Sequence, residues 1–140
     1  MQRTKVAILG GGFIADIHLE SYHRFIPEAE VVAIYARQAD KAKAIAAKHH
    51  IPQWYDSIEK LLAESGCEVV DICLPNYLHA DATLKAAAAG KHIIIEKPLA
   101  VTLEEADKEA EAHGLTSLSS SVISFQRLLI SIPTAFGSNF

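Results

Sequence analysis

The sequence has little cysteine, little basic charge and no long apolar run, and each shortage removes a class of protein. Its two cysteines, Cys67 and Cys73, lack the spacing of a metal site, so reduced thiols in a cytoplasmic protein are expected. No apolar stretch approaches the roughly 18 residues of a membrane-spanning helix. Lys and Arg number 13 against 17 Asp and Glu, a net charge of -4; this argues against nucleic-acid binding, which rests on cations neutralising phosphates. The N-terminus does not follow a secretory pattern, because the apolar residues Val6–Ile14 are broken by three glycines and followed by Asp16, His18 and Glu20. No His, Cys and carboxylate set has metal-ligand spacing, and no Gly-x-Ser-x-Gly nucleophile element occurs.

What remains is a globular balance: 140 residues, 50% hydrophobic and 21% charged, enough for one domain with its own core. Residues 1–114 alternate between short apolar runs and helical patterns. Strands are expected at Lys5–Leu9, Val31–Tyr35, Gln53–Tyr55, Val69–Leu74 and His92–Ile95. A helix is expected from Phe13 to Phe25, with Ile14, Ile17, His18, Tyr22 and Phe25 on its buried side. His18 there suits a packed, hydrogen-bonded core histidine. Ala39–His49 is a second helix, Pro52 lying just past its end. Asp56 to Glu59 has capping-box spacing and opens a third, ending at Gly66. Leu78–Ala89, closed by Gly90, is a fourth, and Thr102 to Glu105 opens one that ends near Gly114. His49, His50 and His113 sit near helix C-termini, where positive charge suits the dipole. Strands and helices in this rhythm predict an α/β fold, a Rossmann-type doubly wound parallel sheet with right-handed crossovers.

Residues 115–140 break the rhythm. They carry one charged residue, Arg127, against 29 in the first 114, and seven serines against three. Val122, Ile123 and Phe125 suit a sixth strand, and the remainder reads as irregular.

The motif richest in chemistry is Gly10-x-Gly12-x-x-Ala15, between a predicted strand and a predicted helix, the context that a dinucleotide fingerprint requires. Gly10 permits the tight turn, Gly12 lets the backbone approach a diphosphate, and Ala15 lets the helix pack closely on the strand. The helix N-terminus offers free N–H groups to the phosphates. At the end of the second strand, where NAD-binding sites place an acidic residue for the ribose, stands Ala36, followed by Arg37. A guanidinium there suits a 2′-phosphate, which favours NADP over NAD.

Two further motifs follow strand ends: Pro75-Asn76-Tyr77-Leu78-His79 and Glu96-Lys97-Pro98. With Gly10-Gly11-Gly12-Phe13-Ile14-Ala15-Asp16-Ile17-His18 they make residues 4 to about 114 resemble the Gfo/Idh/MocA oxidoreductases, the relatives of glucose–fructose oxidoreductase and inositol dehydrogenase. The resemblance implies a Rossmann domain followed by an α/β substrate domain, and hydride transfer between a nicotinamide and a sugar, cyclitol or related hydroxyl or carbonyl compound. It places Phe13 and Ile14 at the pyrophosphate loop, Leu74, Pro75, Asn76 and His79 along the nicotinamide half of the cofactor, and Glu96, Lys97 and Pro98 beside the nicotinamide. Lys97 is the candidate catalytic residue, a cation that orients the alcohol and stabilises the developing alkoxide. His79 has two readings, a cofactor contact or a helix cap.

Relatives in this family are far longer. The substrate domain, with its second acid–base group, has no counterpart in residues 115–140, which fits either a truncated or frame-shifted gene or a deliberately shortened chain. The 140 residues alone are therefore expected to turn over substrate weakly or not at all, and an uncovered sheet edge favours self-association. Two alternatives stay open: a non-catalytic dinucleotide-binding module acting as a redox sensor or partner protein, and a degenerate product that binds nothing.

Overall fold

A computed structural model describes residues 2–95. Five parallel strands alternate with helices: β1 (Thr4–Leu9), α1 (Phe13–Phe25), β2 (Ala29–Tyr35), α2 (Ala39–Lys48), β3 (Gln53–Tyr55), α3 (Ile58–Glu64), β4 (Val69–Ile72), a 3-10 turn (Asn76–Leu78), α4 (His79–Ala88) and β5 (His92–Ile95). The sheet order is β3-β2-β1-β4-β5. The chain therefore winds outward from β1 in one direction, then returns to its other side, which makes the gap beyond β1 and β4 the topological switch point.

Side-chain alternation divides the core between the two faces of the sheet. Val6, Ile8, Val69 and Cys73 pack with Ala15, Leu19 and Tyr22 of α1 and Ala46 of α2. Ala7, Leu9, Val70 and Ile72 pack with Leu61 and Leu62 of α3 and Ala82 and Ala86 of α4. Both faces are covered, which is why β1 and β4 are almost continuously apolar. The pairing of β1 with β2 slips between Val6 and Ala7, whose partners are Val31 and Ala33. Val32 is the extra residue, and it joins Ala33 in the α3–α4 core.

Several boundaries differ from the expectations. β2 starts two residues early, at Ala29, which pairs with Thr4. Ladder geometry ends β4 at Ile72, although the Cys73 amide still donates to the Leu9 carbonyl at 2.8 Å. Pro75 forces an extended entry, so the chain makes a 3-10 turn before α4 begins at His79. The cap of α3 is Ser57 rather than Asp56: Ser57 Oγ accepts from the Lys60 amide at 3.3 Å. Gly66 and Gly90 follow the C-caps of α3 and α4 with φ of 73° and 72°, the left-handed stop expected of each.

The largest correction concerns α1. Its buried residues are Ala15, Leu19 and Tyr22. Ile14, Ile17 and Phe25, expected inside, are exposed at 40%, 45% and 76%. The strand-contacting stripe is narrow because small Ala15 brings the helix close to the sheet. The helix opened by Thr102, the sixth strand and the domain limit at 114 lie outside the described residues.

Candidate functional site

The carboxyl ends of β1, β2 and β4 converge at the switch point, and backbone chemistry explains the residues found there. Gly10 has φ of 126°, and a Cβ on it would lie 2.5 Å from the Cys73 carbonyl oxygen. Glycine is therefore required twice over, by conformation and by the close approach of the β4 backbone. The Gly10 amide donates to the Tyr35 carbonyl at 2.9 Å, and the Ala36 amide donates to Tyr55 at 3.2 Å. These bonds lock the loop between the ends of β1, β2 and β3.

Gly12 is different. It is the N-cap of α1, has ordinary extended geometry and makes no side-chain cap bond. A Cβ on it would meet nothing within 4 Å. The space before the first turn of α1 is thus open, and the first amides of a helix lack intrahelical acceptors. A diphosphate fits this arrangement: N–H donors, a favourable helix dipole and no side chain in the way. Phe13 and Ile14, exposed at 78% and 40%, flank it on the first turn. Gly11 faces α2, where a Cβ would press on Ile45 Cδ1 at 2.8 Å.

Arg37 follows buried Ala36 and is exposed. Across the switch point, Leu74 is half-buried while Pro75 and Asn76 are exposed. A cleft of about 270 Å³ runs between these segments, lined by Tyr35, Ser57, Leu74 and Leu78 among others. Along its lining Lys85 bridges Glu59 at 2.8 Å and Asp81 at 2.9 Å. These bonds hold the lysine above its ordinary range and Glu59 below the usual carboxylate range. A larger hollow, about 450 Å³, lies between α1 and the end of α2, beside Ile17, Phe25 and His49. It runs from Asp16 along α1 to Phe25, whereas the smaller cleft lies beside Tyr35 and Leu74 at the ends of β2 and β4, where open α/β sheets bind ligands, so the smaller cleft is the better candidate.

His79 is 2% exposed, and its Nε2 lies 2.7 Å from the Leu74 carbonyl. This contact fixes the turn carrying Leu74, Pro75 and Asn76. Glu96, Lys97 and Pro98 follow β5 directly and lie outside the described residues.

Two polar clusters escaped the sequence reading. Asp16 in the first turn of α1 accepts from His49 Nε2 at 3.0 Å and from Lys48 at 3.5 Å. The His49 bond, ahead of the Lys48 charge, lowers its pKa, so His49 is a tie to α1 as well as a helix-end cation. Beneath the glycine loop, His18 Nδ1 lies 2.8 Å from Asp71 Oδ2, and the Tyr22 hydroxyl donates to the same oxygen at 3.0 Å. The Cys73 thiol reaches Asp71 Oδ1 at 3.5 Å and His18 Nδ1 at 3.3 Å. Burial, reinforced by Asp71, pushes the Tyr22 phenol well above its ordinary pKa. The signal was present in Asp71, the one charged residue in an otherwise apolar run.

A family model described as "Oxidoreductase family, NAD-binding Rossmann fold" (GFO_IDH_MocA) matches residues 4–118. The chain belongs to this family. An uncharacterised oxidoreductase of Rhizobium meliloti is 46% identical over 87 residues, covering 62% of this chain and 26% of that protein. The scyllo-inositol 2-dehydrogenase (NADP(+)) of Bacillus subtilis is 32% identical over 114 residues, covering 79% and 34%. Among solved structures, levoglucosan dehydrogenase in complex with NADH superposes with a TM-score of 0.75 at 33% identity, covering 79% of this chain and 32% of that one. The chain thus spans about a third or less of the length of these relatives. No helix among the described residues is long and apolar enough to cross a membrane.

Proposed function

We propose that this chain is the nucleotide-binding portion of a dehydrogenase acting on a sugar, cyclitol or related hydroxyl or carbonyl substrate, with NADP preferred over NAD. The observation that carries the reading is the contrast between the two loop glycines. Gly10 is packed against β4, whereas Gly12 opens onto free space at the N-terminus of α1. The first-turn amides from Phe13 and Ile14 onward would hold the diphosphate, and Leu74, Pro75 and Asn76 would form the wall along the remainder of the cofactor, on the turn that buried His79 holds in place. When bound, the nicotinamide accepts or donates the hydride. Lys97, flanked by Glu96 and Pro98 just past β5, would hold its ammonium beside the substrate oxygen, orient it and stabilise negative charge there. Two buried cysteines, neither in a disulfide, suit a reducing, cytoplasmic setting.

Arg37 supports the NADP preference, because it is exposed next to Ala36, where no carboxylate repels a 2′-phosphate. The test is a titration of the chain with NADPH and NADH, followed by intrinsic fluorescence and unfolding temperature. Arg37→Ala should weaken NADPH roughly 10–100-fold, the worth of a charge-assisted hydrogen bond, and leave NADH nearly unchanged. An equal loss for both removes Arg37 from the 2′-phosphate site. Absence of any shift with either cofactor sinks the reading.

A further inference from the structure

We infer that His18, Asp71 and Cys73 form a binding site for a zinc-type divalent cation beneath the glycine loop. One nitrogen, one carboxylate oxygen and one sulfur all lie within 4.8 Å of one another. Such a mixed N/O/S set is characteristic of zinc and of its spectroscopic substitute cobalt, rather than of calcium or magnesium, which take oxygen.

The spacing fits an ion. With metal–donor distances of about 2.0–2.3 Å, donors around a tetrahedral ion lie roughly 3.3–3.6 Å apart. The sulfur is already 3.3 Å from His18 Nδ1 and 3.5 Å from Asp71 Oδ1. His18 Nδ1 and Asp71 Oδ2, 2.8 Å apart, would need to open by about half an ångström.

The framework is rigid on two sides. Asp71 and Cys73 are alternate positions along β4 and its end, so they face the same way. β4 pairs with both β1 and β5. His18 comes from the second turn of α1, the helix whose first turn the glycine loop opens. Tyr22 supplies an outer partner by donating to Asp71 Oδ2 at 3.0 Å, the kind of contact that fixes a metal-ligating carboxylate. The ionised Asp71 and the Cys73 thiolate together match a +2 charge. On binding, the metal–sulfur bond replaces the S–H bond and the thiol proton leaves to solvent. The ion would brace α1 against β4 directly below the Gly10–Cys73 contact. None of this depends on cofactor binding.

The test uses the 140-residue chain, stripped with a chelator and titrated with Co²⁺ and then Zn²⁺. The expected result is one cobalt per chain, a near-ultraviolet thiolate-to-cobalt charge-transfer band, and displacement by Zn²⁺. Cys73→Ser should abolish the band, while Cys67→Ser, at the other buried cysteine, should keep it. Tyr22→Phe should retain the band and weaken affinity roughly 10-fold or more, as loss of an outer-shell partner does. Circular dichroism and metal-free melting establish that each variant is folded. Should Cys73→Ser not fold, His18→Gln decides, with a large loss of affinity expected. A folded wild type without the band overturns the site. So does a band that survives Cys73→Ser or vanishes in Cys67→Ser, or unchanged affinity in His18→Gln; the three groups are then a hydrogen-bonded cluster and nothing more.

Discussion

A methyl group added at Gly10 would sit 2.5 Å from the Cys73 carbonyl oxygen on a backbone held at φ of 126°. Neither the strand end nor the turn can yield without moving the sheet, so Gly10→Ala should cost about 3 kcal/mol, read by urea denaturation. Gly12→Ala meets open space and an ordinary backbone, and should cost less than about 1 kcal/mol. Equal costs would mean that the loop does not pack as described. Protonation has a residue-scale signature too. The raised pKa of Tyr22 favours the neutral phenol in the folded state. Its stabilisation is therefore complete below the unfolded tyrosine pKa, about 10, and is lost as pH rises beyond it. Tyr22→Phe should flatten the alkaline fall in unfolding temperature; an unchanged alkaline limb speaks against the buried Tyr22–Asp71 bond. The lowered pKa of Asp16 works in the opposite sense: its contribution is present above about pH 4 and fades as pH falls through the folded value.

At the scale of elements, strand and helix identity was legible because each periodic run is bounded by Gly, Pro or a capping residue. The limits of α1 and β3 came out as expected. The buried side of α1 was legible only in part: Tyr22 and the hydrogen-bonded His18 face inward as expected. Ile14, Ile17 and Phe25 outrank Ala15 in hydrophobicity, yet close packing at Ala15 sets the helix so that Leu19 goes inside and these three go out. Leu19→Ala should thus cost about 2–4 kcal/mol, and Ile17→Ala less than about 1 kcal/mol. Reversed values would restore the expected face. The cap of α3 was misplaced by one residue for a related reason: Asp56 and Ser57 are both good caps, and only the backbone decides which side chain reaches the Lys60 amide. The Asp71 and Asp16 clusters were invisible to spacing rules, because all their contacts but Asp71–Cys73 join residues 32 to 55 positions apart.

For the molecule as a whole, the sheet order places the glycine loop, Arg37 and the turn after β4 at one edge, and that part of the site was readable in advance from motifs that follow strand ends. The chain belongs to an NAD-binding Rossmann family, yet it matches about a third or less of the length of its relatives. A diphosphate site needs only the first turn of α1 and the loop. Hydride transfer also needs a positioned substrate, so the 140 residues alone should bind cofactor and turn over polyols weakly or not at all. Efficient turnover by the purified chain would show that no further acid–base group is required. The most direct measurement is calorimetric titration of wild type and Gly12→Val with NADPH and NADH. Wild type should bind one cofactor per chain, and Gly12→Val, its fold intact by circular dichroism, should bind at least roughly 100-fold more weakly, because the added side chain occupies the space before the helix amides. Equal binding by the two proteins, or no binding by a folded wild type, would place the cofactor elsewhere or nowhere on this chain.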